Sequence, residues 1–442
     1  MYLEHAREFI DQPGEWYLDR ATGILTYQAQ PGTDPNDLVF MAPVLAQLLK
    51  VEGTYGNPVK NLHFAGIHFK YTNWQLPDFG YTARQAHMYV NPSDRPVYTL
   101  TEAVECNYVE DCSFVRCAVA HTGANGLGFI KGCKDSKILY CHIYDTGGNG
   151  ITVGDVANTE ANPDLPDGNM DVSHNIVNDC GKVIFGAVGI WEAFVPDTRI
   201  THNHVYNLPL GGITIGWRWD DTPSNQRNVL VEKNHVHDVM RTLYDNAAIY
   251  TLGNQPGTII QNNLIHHSLN GNGMQHDNGS SNFIVRNNII WKVGHDVCQS
   301  AYVHDIVWEN NIAAFWGRAG VTRMQGKQLF PGLPGAISHT FKRNIYFADN
   351  IGMLGIKKFT GSLMGRNNVD FDNNIYWKRN GGILTLNESF KAWQAAGKDQ
   401  HSRIVDPLFV DPDNGDFRFR AESPALQLGF KPIDMSEIGP IE

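Results

Sequence analysis

One short phrase returns along most of this chain: a β-rich stretch, a polar pair ending in Asn, then two apolar residues. It reads Val-Ser-His-Asn-Ile-Val at 172–177, Ile-Thr-His-Asn-His-Val at 200–205 and Val-Glu-Lys-Asn-His-Val at 231–236, and it continues through Ile-Gln-Asn-Asn-Leu-Ile at 260–265 and Val-Arg-Asn-Asn-Ile-Ile at 285–290. The second Asn of each copy gives the anchors Asn175, Asn203, Asn234, Asn263, Asn288, Asn311, Asn344 and Asn374, separated by 23 to 33 residues. Two earlier copies put Cys112 and Cys141 at the same register. A constant phrase with a variable step means that insertions fall in one loop of each repeat.

Each repeat carries a second short strand after a Gly-rich turn, as in Gly126-Leu-Gly-Phe, Gly150-Ile-Thr-Val, Gly189-Ile-Trp-Glu, Gly212-Ile-Thr-Ile, Ala248-Ile-Tyr-Thr and Gly273-Met-Gln-His. Strands this short at this spacing leave no room for a βαβ unit with its helix. Stacked coils of parallel strands fit, and right-handed crossovers are the strong default. The expected fold is therefore all-β, a right-handed parallel β-helix or β-solenoid of about ten coils. The recurrent Asn suits it: the residue tolerates the left-handed turn conformation, and its side chains can hydrogen-bond from coil to coil. That use accounts for 39 Asn among 442 residues.

The ends depart from the repeat. Residues 1–56 hold two alternating strands around a Gly-containing loop, a hairpin at Gly14 to Tyr27. Residues 57–384 form the solenoid, interrupted at 72–104 by a long insertion rich in Tyr and Pro, of the kind that sits on a binding face. Residues 385–442 read as a short helix followed by a terminal cap, since an uncovered last coil would leave strand edges open.

Charge and hydropathy narrow the partners. A net charge of −11 argues against nucleic acid as the main partner, and no apolar run is long enough to span a membrane. The seven cysteines match no zinc spacing, and six of them crowd into 106–180, as small buried side chains would. No metal and no cofactor are expected. The histidines at 202, 204, 235 and 237 lie in or beside the Asn phrase and read as structural; His266, His267, His276 and His295 show no HExxH spacing.

Side chains alternate along a strand, so aligning the second strands shows what lines the outer groove. Outward positions and the turns beyond them carry Asp155, Trp191, Glu192, Trp217, Trp219, Asp220, Asp221, Tyr250, His276, Asp277 and Arg323, with Tyr244-Asp245-Asn246 opening one coil and His295 nearby. Flat aromatic rings stack on sugars and paired carboxylates do acid–base work, so this mixture points to a carbohydrate polymer or oligosaccharide. Each Asp taken singly is also an ordinary turn former.

The run Asp245-Asn-Ala-Ala-Ile-Tyr-Thr-Leu-Gly-Asn, followed by His276-Asp-Asn-Gly, resembles the catalytic region of the β-helical glycosidases of glycoside hydrolase family 141, as do the opening at 9–23 and the Asp406-Pro-Leu-Phe-Val-Asp-Pro ending. The resemblance implies hydrolysis of plant or algal polysaccharide, fucosidase-like or xylanase-like, in a secreted or periplasmic protein. It places the catalytic pair on Asp245 and Asp277; His276 or Glu192 is our own candidate for tuning or replacing one member. The substrate would be held by Trp191, Trp217, Trp219, Asp220, Tyr250, Asp155, Arg323 and His295. Where that family has Asp-x-Gly-Gly this chain has Asp245-Asn-Ala-Ala, and Asn278 stands where an acidic residue follows the second Asp. Two rivals follow from the same fold: a lyase acting on uronic-acid polymers, for which Arg218 and Arg323 are candidate bases, and a non-catalytic glycan-binding β-helix. The open first coil needs a cover, either the hairpin or another subunit in a homo-oligomer.

Overall fold

The computed structural model describes residues 6–91, 97–158, 162, 164–318, 322–325, 338–349, 368–381, 390–395 and 397–441. The chain divides into two compact units, Met1–Pro43 and Val44–Glu442. In the first, Trp16–Asp19 pairs antiparallel with Ile24–Tyr27 as the expected hairpin.

The second unit is a right-handed parallel β-helix. Three long parallel sheets run its length: sheet 1 has ten strands from Leu49–Glu52 to Thr322–Gln325, sheet 2 has eleven from His63–Ala65 to Asn368–Asp372, and sheet 3 has twelve from His68–Lys70 to Arg403–Ile404. The first strand of sheet 1 falls inside the 1–56 segment that the sequence assigns to the hairpin region. It carries no Asn phrase, so its pairing with Glu102–Asn107 left no local signal.

Register between rungs is regular, so residues of one type stack in columns. On sheet 1, Leu127, Ile151, Ile190, Ile213, Ile249, Met274 and Cys298 follow one another inward and are fully buried. On sheet 3, Val119, Ile143, Val177, Val205, Val236, Ile265 and Ile290 do the same. Each such side chain gains roughly 1.5–3 kcal/mol on leaving water, so the core grows by a fixed increment with every coil.

The anchor asparagines form a buried ladder between sheets 2 and 3. Asn234 donates its backbone N–H and its Nδ2 to Asn263 Oδ1, 3.0 Å each, and a further Nδ2 hydrogen to the carbonyl of Ile200. The same three bonds recur at Asn203, Asn263 and Asn311. The left-handed conformation falls one residue earlier than expected, on His174, His202, Lys233, Asn262, Asn287, Asn310, Arg343 and Asn373. That residue turns the corner; the Asn after it faces inward and supplies hydrogen bonds that offset the roughly 1–2 kcal/mol cost of the left-handed backbone.

Of the two cysteines placed at the anchor register, Cys141 is there, donating its backbone N–H to Asn175 Oδ1 at 2.8 Å. Cys112 is not: Cys117 takes the rung, its N–H directed at Cys141 Sγ. The stretch Val109-Glu-Asp-Cys112 also ends in a left-handed residue, Asp111, but at the corner before sheet 2, and that second corner mimics the phrase. All seven cysteines are buried and free of disulfides.

The insertion contributes a three-stranded antiparallel sheet, Thr82–Ala83, Met88–Val90 and Val97–Thr99. It lies over the outer face of sheet 1, where the His87 ring meets Trp191 edge-on at 4.8 Å and His87 Nδ1 sits 2.8 Å from Asn149 Nδ2. At the far end the helix Phe390–Ala395 closes the core, with Trp393 packed on Phe371. The rest of the C-terminal segment does something the sequence did not suggest. Phe409, Phe417, Ala425 and Phe430 pack along the outside of sheet 3 against Ile289, Trp291, Ile312 and Ile345, and Gly439 donates its N–H to Lys233 O, several coils back.

Candidate active site

The strand Ala247–Thr251 alternates as sheet 1 demands: Ile249 and Thr251 point in, Tyr250 points out. The next rung, Asn272–His276, sets Gln275 beside Tyr250 and His276 beside Thr251. Parity then returns Asp277 to the outer side, one residue past the strand. Its Oδ2 accepts from Tyr250 Oη at 2.8 Å and its Oδ1 from the Asn278 N–H at 3.0 Å.

Asp245 precedes its strand in a left-handed conformation, φ 73°, which Asp adopts more readily than most residues. Gln85 of the insertion donates to the Asp245 carbonyl at 2.9 Å. The two aspartates meet through Gln275, whose Nε2 lies 3.5 Å from Asp245 Oδ1 and 3.5 Å from Asp277 Oδ2. Two such approaches to one nitrogen cap the separation of those oxygens at about 7 Å, within reach of the pairs that cleave glycosidic bonds. Asn272 Nδ2 donates to Gln275 Oε1 at 2.9 Å, which turns the amide so that its NH₂ faces the carboxylates.

The environments of the pair differ. Asp245 is exposed, whereas Asp277 is partly covered. Burial raises the Asp277 pKa, and the nearby Asp245 charge adds to the rise, against the Tyr250 and Asn278 hydrogen bonds that lower it. Two carboxyl groups set apart in this way can divide acid and nucleophile roles.

Other residues chosen from the sequence are placed differently. Trp191 is fully buried and Trp217 is 3% exposed; Trp217 meets Trp191 edge to face on one side and Trp219, which keeps 37% of its surface in water, on the other. The insertion covers Trp191 through His87, a long-range contact that strand periodicity does not report. Glu192 and His276 have the inward parity, not the outward one, and neither reaches the aspartates. Glu192 lies in the core with Gln226 Nε2 donating at 2.7 Å; His276 bonds Thr251 Oγ1 at 2.9 Å and accepts from Trp308 Nε1, and burial keeps its pKa well below the usual value. Asp155 caps a turn through the Ala157 N–H, and Asp220 is held by Arg218 Nε at 2.6 Å. His295 sits half-buried at the turn from sheet 3 into sheet 1, two rungs beyond Asp245. Arg323 continues the Gln275 and Gln299 column by backbone register; its side chain lies outside the described residues.

Several contributors escaped the sequence. Gln275 and Gln85 are single polar residues without a motif, although Gln275 shares the parity of Asp277. Tyr244, 74% exposed beside Asp245, offers an aromatic face. Beneath the insertion, Trp191 Nε1, Thr214 Oγ1, Trp217 Nε1 and Asn246 Nδ2 are buried without a protein partner. Buried donors of this kind are met by ordered water or by ligand hydroxyls.

Two buried glutamates also bear on stability. Burial pushes both Glu102 and Glu192 up to about 8. A carboxyl whose folded pKa exceeds its unfolded value of about 4.3 holds its proton more tightly when folded. Its contribution is therefore complete below about pH 4 and is lost as pH climbs through about 8, at roughly 1.4 kcal/mol per pH unit for each group. Thermal melts from pH 5 to 8 should show a falling Tm that is flattened in the Glu102→Gln/Glu192→Gln double variant; parallel curves would refute this reading.

Among solved structures, one described as a glycoside hydrolase superposes with a TM-score of 0.62 and 27% identity, covering 70% of this chain and 57% of that one. A complex of XylC with xylose aligns at TM-score 0.43 and 14% identity, over 73% of this chain and 57% of its own. Pectate lyase Pel9A aligns at 0.40 and 12%, over 87% and 78%. No protein family and no curated protein matches the chain. The fold is thus the β-helix scaffold shared with that glycoside hydrolase, and the chain spans 57% of the hydrolase's length.

Proposed function

We propose that the protein is a carbohydrate-active enzyme of the hydrolase type, cleaving glycosidic bonds in a plant or algal polysaccharide or its oligosaccharides outside the cell. The observation that carries this reading is the pair Asp245 and Asp277 held about one amide apart by Gln275, one carboxyl exposed and the other shielded. The likeness to a solved glycoside hydrolase supports it, as does the resemblance of both aspartate segments to family 141 in sequence.

Asp277, with its raised pKa, acts as general acid: it gives its proton to the glycosidic oxygen as the bond to the anomeric carbon breaks. The Asp245 carboxylate attacks that carbon and forms a glycosyl ester. Asp277, now ionised, takes a proton from water, whose oxygen displaces Asp245 and releases the sugar. Gln275 Nε2 lies where it can steady the charge that passes from one carboxyl to the other. Tyr244 and Trp219 present the aromatic faces on which sugar rings stack. The Asp245 Oδ1–Asp277 Oδ2 distance of at most about 7 Å is compatible with this retaining course, which needs carboxyls about 5–5.5 Å apart.

The test is digestion of fucosylated, xylan and pectic oligosaccharides with product masses and the first-formed anomer followed by NMR. Hydrolysis with retention is expected, each cleavage adding one water. Unsaturated products absorbing in the ultraviolet would replace the hydrolase reading with a lyase. Binding without any cleavage would leave a glycan-binding protein.

A further inference from the structure

The outer face of sheet 3 carries a cluster of imidazoles that the aspartate site does not use. His204 and His235 are register partners on successive rungs, and His237 lies two residues beyond His235 on the same face. His204 Nε2 and His237 Nε2 are 2.8 Å apart, and ligand atoms of all three histidines lie within 4.8 Å of one another. The three ring centroids are separated by 4.5 to 5.0 Å. All three side chains are partly open to solvent.

We propose that His204, His235 and His237 form a binding site for a divalent transition-metal ion, with zinc the best match. Imidazole nitrogen suits zinc, copper and nickel rather than calcium or magnesium. A tetrahedral zinc ion with Zn–N of about 2.0–2.1 Å holds its nitrogens about 3.3 Å apart, a spacing between the 2.8 Å and 4.8 Å seen here. Small rotations of χ1 and χ2 would close the set.

The neighbours are those a metal site needs. Asp238 Oδ2 lies 2.6 Å from His237 Nδ1, so that nitrogen carries the hydrogen and Nε2 is presented outward, the carboxylate–histidine arrangement that orients metal ligands. His266 Nε2 stands 2.8 Å from His235 Nε2 and offers a fourth imidazole, or leaves the last position to water. The ligands project from paired strands rather than from loops, which fixes their relative positions before any ion arrives. The C-terminal segment passes alongside, with Gly439 bonded to Lys233 O. A bound ion would therefore fasten adjacent rungs next to that segment, on a different face from Asp245 and Asp277.

Calorimetric titration of the full chain with zinc chloride tests the site. One equivalent should bind with micromolar or tighter affinity and raise Tm by several degrees. His204→Gln and His237→Gln should each weaken binding at least tenfold, whereas His121→Gln, outside the cluster, should leave it unchanged. Should the cluster variants misfold, X-ray absorption at the zinc edge of the wild-type complex decides: three or four imidazole nitrogens are expected, and an oxygen-only shell would overturn the proposal. So would the absence of saturable binding, or full binding in a folded His204→Gln/His237→Gln double variant.

Discussion

Asp277→Asn is expected to lower kcat/KM by about 10³-fold or more while leaving oligosaccharide affinity nearly intact, because it keeps the side chain's shape and removes the transferable proton. Asp245→Asn should lose as much, for want of the attacking carboxylate. Tyr250→Phe makes the assignment sharper. The Tyr250 hydroxyl donates to Asp277 Oδ2 and lowers its pKa against the effect of burial. Removing it should raise that pKa further and carry the alkaline limb of the pH–rate profile upward, with a loss in rate much smaller than that of Asp277→Asn. An alkaline limb that stays in place would deny Asp277 the acid role. Full activity in both aspartate variants would end the hydrolase reading of this site.

The second large effect concerns the ladder. Asn263→Ala strips the Asn234 N–H and Nδ2 of their acceptor and the Val231 carbonyl of its donor, all in the core. An unmet buried polar group costs roughly 1–3 kcal/mol, so the variant should lose about 3–6 kcal/mol in denaturant unfolding. Asn262→Ala, at the half-buried left-handed corner beside it, should cost about 1 kcal/mol. Near-equal losses would show that the corner conformation, not the ladder, makes the phrase recur.

Much of this fold was legible because a solenoid repeats its instructions. The Asn phrase reports the corner between sheets 2 and 3 once per coil, and the Gly-led strands report sheet 1. Cys112 shows the limit of that reading: a different corner, built from the same left-handed turn, copies the local signal. The aspartates were legible through the resemblance of their two segments to family 141, although Asp245 precedes its strand and Asp277 follows the next one. What joins them was not, since the Gln275 amide and the Gln85 contact arise from rungs and insertions far apart in sequence. Parity errors explain the rest. Counting Glu192 and His276 as outward ignores that they share the inward column with Phe129, Val153 and Ile215, while Trp191, correctly outward, is covered by a segment about a hundred residues earlier.

The asparagine column also has a direction. Along it each Oδ1 accepts from the N-terminal rung, while Nδ2 gives one hydrogen to the C-terminal rung and the other to a backbone carbonyl of the preceding coil, so the side-chain carbonyls all point the same way. Its electronegative end rests on the Cys141 rung, whose backbone N–H donates to Asn175 Oδ1, and the Cys141 sulfur in turn accepts from the Cys117 N–H. Its electropositive end arrives at Asn374, and the group waiting there is a carboxyl: Asp399 Oδ1 accepts from Asn374 Nδ2 at 3.0 Å. The column is thus polar along its length, and its donor end at Asn374 is closed by an acceptor side chain of opposite polarity.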